Sequence, residues 1–233
     1  QNLLKLNRIR VSKTRSGAMR LFRNEKTNNW PKALLKEIFR NIPDDILQFY
    51  PEHQPFYSKL SDFLELPEDR FIVTSGIDEA IKSILTLYCN PGDSFLAAAP
   101  GYTMYSVYAD IFQLRMDPLL YDPNRFTEVS EILDRLSSDT KVVFISNPNQ
   151  PVENYFDLES LRKIASGCAE KSVLLAIDEA YSFFGGTSAI PLTEEFDNVL
   201  VLRTFSKAFG GGGLRLGYTI GSKESILPIS AFR

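Results

Sequence analysis

The 233-residue sequence has one histidine, His53, and two cysteines, Cys89 and Cys168. A single imidazole excludes a multi-histidine metal site and the H-E-x-x-H arrangement, so no bound metal is expected. The two cysteines lie far apart and outside metal-ligand spacing. They read as buried thiols of a reducing, cytoplasmic compartment rather than as a disulfide framework. No apolar run reaches membrane-spanning length; the longest are short pieces such as Val173–Ile177. The polar, basic N-terminus has no hydrophobic signal core. A net charge of −3 carries no excess of either sign, which speaks against a nucleic-acid or membrane-surface partner. Internal repeats and low-complexity tracts are missing. The glycines at 210–213 do not make G-x-G-x-x-G, because Leu214, Arg215 and Leu216 stand where the last glycine would fall. A P-loop is missing too.

What is present is an ordinary globular composition, with 44% apolar and 24% charged residues. Residues 1–29 are read as an N-terminal arm and 30–233 as one large domain. The chain opens at Gln1 and closes on Ile229-Ser-Ala-Phe-Arg233, where a helix is starting; it reads as a fragment.

Trp30-Pro31 opens a helix to about Asn41, and a turn over 50–55 leads into a helix to about Leu64. From Phe71 onward short apolar runs alternate with helical patterns. Strands are expected over 71–74, 94–99, 142–145, 173–177, 199–202 and 217–220. Helices are expected after the first of these (Ile77 to Tyr88), over 102–112, and after the N-cap residue Asp157. The strands have no polar alternate face, so the fold class is α/β, with a mostly parallel central sheet covered by helices on both faces. In such sheets ligands sit beyond the carboxyl ends of the strands. Ser75-Gly76, Pro100-Gly101, Asn147-Pro148, Asp178-Glu179 and Thr204 to Lys207 all follow strands directly. One rule thus directs five polar clusters toward one crevice.

Lys207 is the most informative of these residues. Thr204, Ser206, Lys207 and Arg215 supply two hydroxyls, an amine and a guanidinium around glycines that admit close backbone approach. That set suits a phosphorylated aldehyde: the amine forms an imine, and the other groups hold the phosphate. Asp178, after five apolar residues, is either a cap or structural ion pair, or a carboxylate that keeps a pyridine nitrogen protonated. Tyr181 is core packing or a second contact to the same ligand. The turn at Gly76, Ile77 and Asp78 offers N–H groups at a helix start, suited to phosphate, while Asp78 is also a favourable first-turn charge. Tyr102 reads as core or as a platform stacked on a flat ring. Asn147-Pro-Asn-Gln-Pro151 is a plain turn or an amide aimed at a ligand oxygen.

Asp178-Glu-Ala-Tyr181, Arg203-Thr-Phe-Ser-Lys-Ala-Phe209, Leu214-Arg-Leu-Gly-Tyr218 and Asn147-Pro-Asn-Gln-Pro151 occur in this order. Together they resemble the pyridoxal 5′-phosphate (PLP)-dependent aminotransferases of the aspartate aminotransferase fold, most closely the histidinol-phosphate aminotransferase branch. Tyr50-Pro51-Glu52, Ser75-Gly-Ile-Asp-Glu79 and Gly101-Tyr-Thr-Met-Tyr105 match the same branch, and Asn24-Glu25 resembles more loosely a family segment near the substrate. The resemblance implies a cofactor, pyridoxal 5′-phosphate, and roles for these residues. Lys207 would form the imine and shuttle the proton; Asp178 would pair with the ring nitrogen; Tyr181 would bond the phenolic oxygen; Tyr102 would stack on the ring. Thr204, Ser206, Arg215 and the Gly76, Ile77, Asp78 turn would hold the phosphate. Tyr50 would reach the neighbouring subunit's cofactor, so a homodimer is implied. The substrates would be a small-molecule amino donor, possibly phosphorylated, and a 2-oxo acid acceptor.

Three departures stand out. Gln150 occupies the place of the family's asparagine at the phenolic oxygen, and one methylene shifts its amide by roughly an ångström. The imine pKa is therefore expected above that of an asparagine site. The glycine run at 210–213 predicts a mobile loop before Arg215. The family's C-terminal small domain, with its carboxylate-binding arginines, is absent from these 233 residues. Alternative readings are a decarboxylase of a phosphorylated amino acid, of the threonine-phosphate type, and a PLP-binding scaffold without turnover.

Overall fold

A computed structural model describes residues 23–122, 127–152 and 155–232; most of the N-terminal arm lies outside them. Helix α1 (Lys32–Arg40) and helix α2 (Gln54–Leu64) precede strand β1 (Phe71–Thr74). Then follow α3 (Ile77–Tyr88), β2 (Ser94–Ala99), α4 (Met104–Phe112), β3 (Arg115–Leu120) and α5 (Val129–Leu133). The remainder is β4 (Thr140–Ser146), α6 (Leu158–Glu170), β5 (Leu174–Asp178), α7 (Leu192–Glu195), β6 (Val199–Thr204), β7 (Gly217–Ile220) and α8 (Lys223–Phe232).

The strands form one seven-stranded sheet in the order β1-β7-β6-β5-β4-β2-β3. The ladders from β3 through β2, β4 and β5 to β6 are parallel; β7 is antiparallel to both its neighbours, β6 and β1. Alternate strand residues divide the core in two, as the period of two requires. Val143, Ile145, Leu175, Ile177, Val199 and Val201 face Leu161 and Ile164 of α6. Phe144, Ala176, Leu200 and Leu202 face Ile81 and Ile84 of α3, Tyr105 of α4 and Ile226 and Ile229 of α8. Asp157 caps α6 by accepting from Ser160 N–H at 2.7 Å.

Several boundaries differ from the sequence expectation. Strand β3 was not anticipated, because Pro118 and the polar residues of Arg115-Met-Asp-Pro-Leu-Leu120 break both the apolar run and the alternation. Among the described residues β3 is the edge of the sheet, and an edge strand tolerates such a proline. The short helices α5 and α7 carry too few residues for a periodic signal. Helix α4 begins at Met104, not Tyr102, and the last helix begins at Lys223, six residues before Ile229. Among the described residues no helix is long and apolar enough to cross a membrane.

Candidate active site

Strands β1, β2, β4, β5 and β6 point the same way, and antiparallel β7 starts where they end. The loop from β6 to β7 therefore returns Arg215 to the edge where Ser75, Gly101, Asn147, Asp178 and Lys207 emerge. A cleft at that edge is lined by Ile77, Asp78, Tyr102, Ser146, Gln150, Asp178, Ala180, Tyr181, Thr204, Ser206, Lys207 and Arg215. Gly76 borders it: a Cβ there would lie 3.1 Å from Arg215 Nη2, so the bare glycine makes room for the guanidinium. Tyr50 is not part of the cleft; it is 98% exposed on the surface.

One end of the cleft gathers hydroxyls and a cation. Thr204 Oγ1 donates to Ser206 Oγ at 3.0 Å and also accepts from Ser206 N–H at 3.1 Å. Arg215 Nη1 reaches Ser206 Oγ at 3.5 Å, and Arg215 Nη2 lies 3.4 Å from Asp78 Oδ2. The first-turn N–H groups of α3 have no partner within the helix and carry its positive end. Gly76 is an exception to the expected set of donors, because its N–H is already taken by Thr74 O at 2.8 Å. Asp78 is more than a first-turn charge: it accepts from Tyr102 Oη at 2.6 Å and Tyr108 Oη at 3.0 Å.

Asp178 lines the same cleft. It is buried, accepts Ala180 N–H at 3.0 Å, and has no ion pair among the described residues. Burial pushes its carboxyl up to about 6, with Ala180 N–H and the Lys207 charge pulling the other way. Lys207 lines the cleft as well. Its Nζ donates to Arg23 O at 3.0 Å and lies 5.5 Å from the centre of the Tyr181 ring. Tyr181 Oη accepts from Asn24 Nδ2 at 2.8 Å, which brings the loosely matched Asn24 to the site.

Glu179, next to Asp178, faces the other layer. It pairs there with buried Arg203 at 2.8 Å and accepts from Ala189 N–H at 2.6 Å, tying the ends of β5 and β6 together. The amide cluster divides its work. Asn147 is spent on Phe156, donating to its carbonyl at 3.0 Å and accepting its N–H at 2.8 Å, and Asn149 Nδ2 donates to Val152 O. Only Gln150 of that run lines the cleft. The glycine loop is tied by Gly210 N–H to Lys207 O at 2.9 Å and Gly211 N–H to Phe205 O at 2.8 Å. Ser146, Ala180 and Tyr108 were missed. Ser146 ends β4, so the strand-end rule reaches it; Tyr108 sits at helical spacing and reads as core.

A buried carboxylate with no ion pair among the described residues, an amine, a half-exposed tyrosine ring and a hydroxyl–guanidinium corner suit a flat ligand with a cationic ring nitrogen, an aldehyde and a phosphate. Cysteine is not a competing nucleophile, because burial pushes the Cys89 and Cys168 thiols up to about 12.

The family model for aminotransferase class I and II matches residues 16–231. Histidinol-phosphate aminotransferase of Ruminiclostridium cellulolyticum is 31% identical over 221 residues, covering 92% of this chain and 61% of that protein. The enzyme of the same name from Methanocaldococcus jannaschii is 33% identical over 209 residues, covering 85% and 54%. The chain thus spans at most about three fifths of these relatives' length. Histidinol-phosphate aminotransferase from Sinorhizobium meliloti, solved in complex with pyridoxal-5′-phosphate, superposes with a TM-score of 0.80 at 23% identity, over 91% of this chain and 58% of that one. Aspartate aminotransferase from Thermus thermophilus with maleate gives 0.79 at 19%, over 90% and 58%. At those identities the structural likeness establishes the fold, and with the family match it leads to one conclusion: the chain belongs to the aminotransferase class I and II family.

Proposed function

We propose that this chain carries the PLP site of an aminotransferase that moves an amino group between a histidinol-phosphate-like amino donor and a 2-oxo acid. One observation carries the reading. Lys207, Asp178 and the Thr204–Ser206–Arg215 corner, all near strand ends, line the same cleft. Two further features support it: the bare Gly76 beside Arg215, and the buried Asp178, which has no ion pair among the described residues.

The bound cofactor supplies an electron sink for the charge left on the donor's Cα when its proton is removed. This chain's residues do the rest. Lys207 Nζ would be the amine that holds the cofactor and, in its neutral form, would take the donor's Cα proton and return it. Asp178 would keep a proton on the ring nitrogen, Tyr181 and Gln150 would bind the phenolic oxygen, and Tyr102 would pack against the ring. Thr204, Ser206, Arg215 and the α3 amides of Ile77 and Asp78 would hold the phosphate.

A homodimer belongs to this proposal, with Tyr50 reaching the neighbouring cleft. Its support is the exposed apolar run around it, where Leu47 is 95%, Phe49 69% and Tyr50 98% exposed. A reducing, cytoplasmic setting fits two free cysteines.

The test is a donor screen. The chain is loaded with PLP and mixed with amino donors, including histidinol phosphate, and loss of the visible band is followed. A 2-oxo acid should restore the band, and Lys207→Ala should show neither change. Carbon dioxide release without 2-oxo acid consumption would replace transfer by decarboxylation. A band that no donor alters would leave only a cofactor-binding scaffold.

A further inference from the structure

Tyr181 has one hydroxyl proton, and the direction of that proton decides what Tyr181 can do. Asn24 Nδ2 donates to Tyr181 Oη at 2.8 Å. A phenol oxygen that accepts a hydrogen bond keeps its own proton for another partner, and accepting strengthens its donation through polarisation. Asn24 stands 157 residues away in sequence and belongs to the short segment before α1.

That segment is anchored on the site at two other points. The carbonyl of Arg23 accepts from Lys207 Nζ at 3.0 Å. Further along, Lys26 and Trp30 lie against Gly210, where a Cβ would come within 3.1 Å of Trp30 Nε1 and collide with the Lys26 stem. Gly210 also has a φ of +67°, so both its conformation and its bareness seat the segment. Asn24 itself has a φ of 50°, in the left-handed region that asparagine tolerates better than most residues. Backbone tolerance alone leaves the side chain free to point anywhere; instead it ends on the Tyr181 oxygen.

We propose that Asn24 is a positioning residue: it occupies the lone pair of Tyr181 Oη and so aims the tyrosine proton into the cleft, toward the cofactor's phenolic oxygen. The inference rests on the proposed PLP site. A proton donated to that oxygen competes with the proton held on the adjoining Lys207 nitrogen. Weaker donation therefore raises the pH at which that nitrogen deprotonates, and the visible band of the loaded chain reports it.

The experiment compares Asn24→Asp and Asn24→Gly. Aspartate keeps the size and the left-handed tolerance but can only accept, so it captures the tyrosine proton and turns it out of the cleft. Glycine removes the side chain without backbone strain. The spectral pH midpoint of the PLP-loaded chain should rise by about one unit in Asn24→Asp, as for loss of a hydrogen bond to an ionised group. It should rise at least as far as in Tyr181→Phe, and by less in Asn24→Gly. In the Tyr181→Phe background the neutral change Asn24→Gly should add no shift, whereas Asn24→Asp still adds the effect of its own charge near Lys207. The idea is overturned if Asn24→Gly keeps the parent midpoint, or if its shift persists in the Tyr181→Phe background. Should Asn24→Asp fail to fold, Asn24→Gly decides alone. If the parent chain shows no Lys207-dependent band at all, the PLP reading falls and this inference with it.

Discussion

Replacing Asp178 by asparagine should make the cofactor-free chain more stable at neutral pH while destroying its function. The change is nearly isosteric and leaves an acceptor for Ala180 N–H, now bonded at 3.0 Å. What it removes is a charge held in a buried place. The folded chain holds the Asp178 proton to about pH 6, against an ordinary value of 3.8. Folding thus binds the proton more tightly than the unfolded chain does, and stability falls as pH rises between those values. Roughly two units correspond to about 3 kcal/mol, and Asp178 is only 6% exposed, so solvent screening removes little of it. Urea unfolding of the cofactor-free chain at pH 4 and pH 7.5 reads the effect. At pH 4 much of the penalty is absent and the two chains should unfold at similar urea concentrations. At pH 7.5 Asp178→Asn should unfold about 1 M later, for a slope of a few kcal/mol per molar. Other titrating groups cancel in the comparison. Saturating PLP should stabilise the parent more than the variant, because the ring nitrogen then provides the missing cation. Parallel shifts of the two chains between pH 4 and 7.5 would refute the reasoning.

Other outcomes follow from the same geometry. Gly76→Ala forces a φ of +75° on a residue with a Cβ and pushes that Cβ toward Arg215; it should cost about 1–2 kcal/mol in urea unfolding and weaken PLP binding in a titration roughly tenfold. Gln150→Asn should lower the spectral pH midpoint of the loaded chain; an unchanged midpoint would remove Gln150 from the phenolic oxygen. Glu179→Gln leaves Arg203 buried without its partner, at 8% exposure, and should cost about 3–5 kcal/mol by calorimetry or urea unfolding. The double change Glu179→Gln with Arg203→Met should recover much of that loss.

Six strands, β1, β2, β4, β5, β6 and β7, were legible in the sequence from their short, mostly apolar runs. The polar residues that end the parallel ones were legible too, since a parallel sheet sends them to one edge. Long amphipathic helices such as α3 and α6 were legible by period. Edge strand β3 was not, because one exposed side frees its composition. Nor could sequence spacing reveal how polar side chains share out their bonds. Asn147 and Gln150 sit three residues apart and look equivalent, yet one locks a turn and the other faces the cleft. The contact between Asn24 and Tyr181 joins residues 157 apart, and no local pattern announces it.

The central claim is that Lys207 Nζ, opposite Asp178, takes the cofactor's aldehyde. Borohydride reduction of the PLP-treated chain, followed by peptide mass spectrometry, tests it most directly. One phosphopyridoxyl group per chain should appear on the Lys207 peptide and vanish in Lys207→Ala. Labelling spread over surface lysines, or equal in Lys207→Ala, would contradict the assignment.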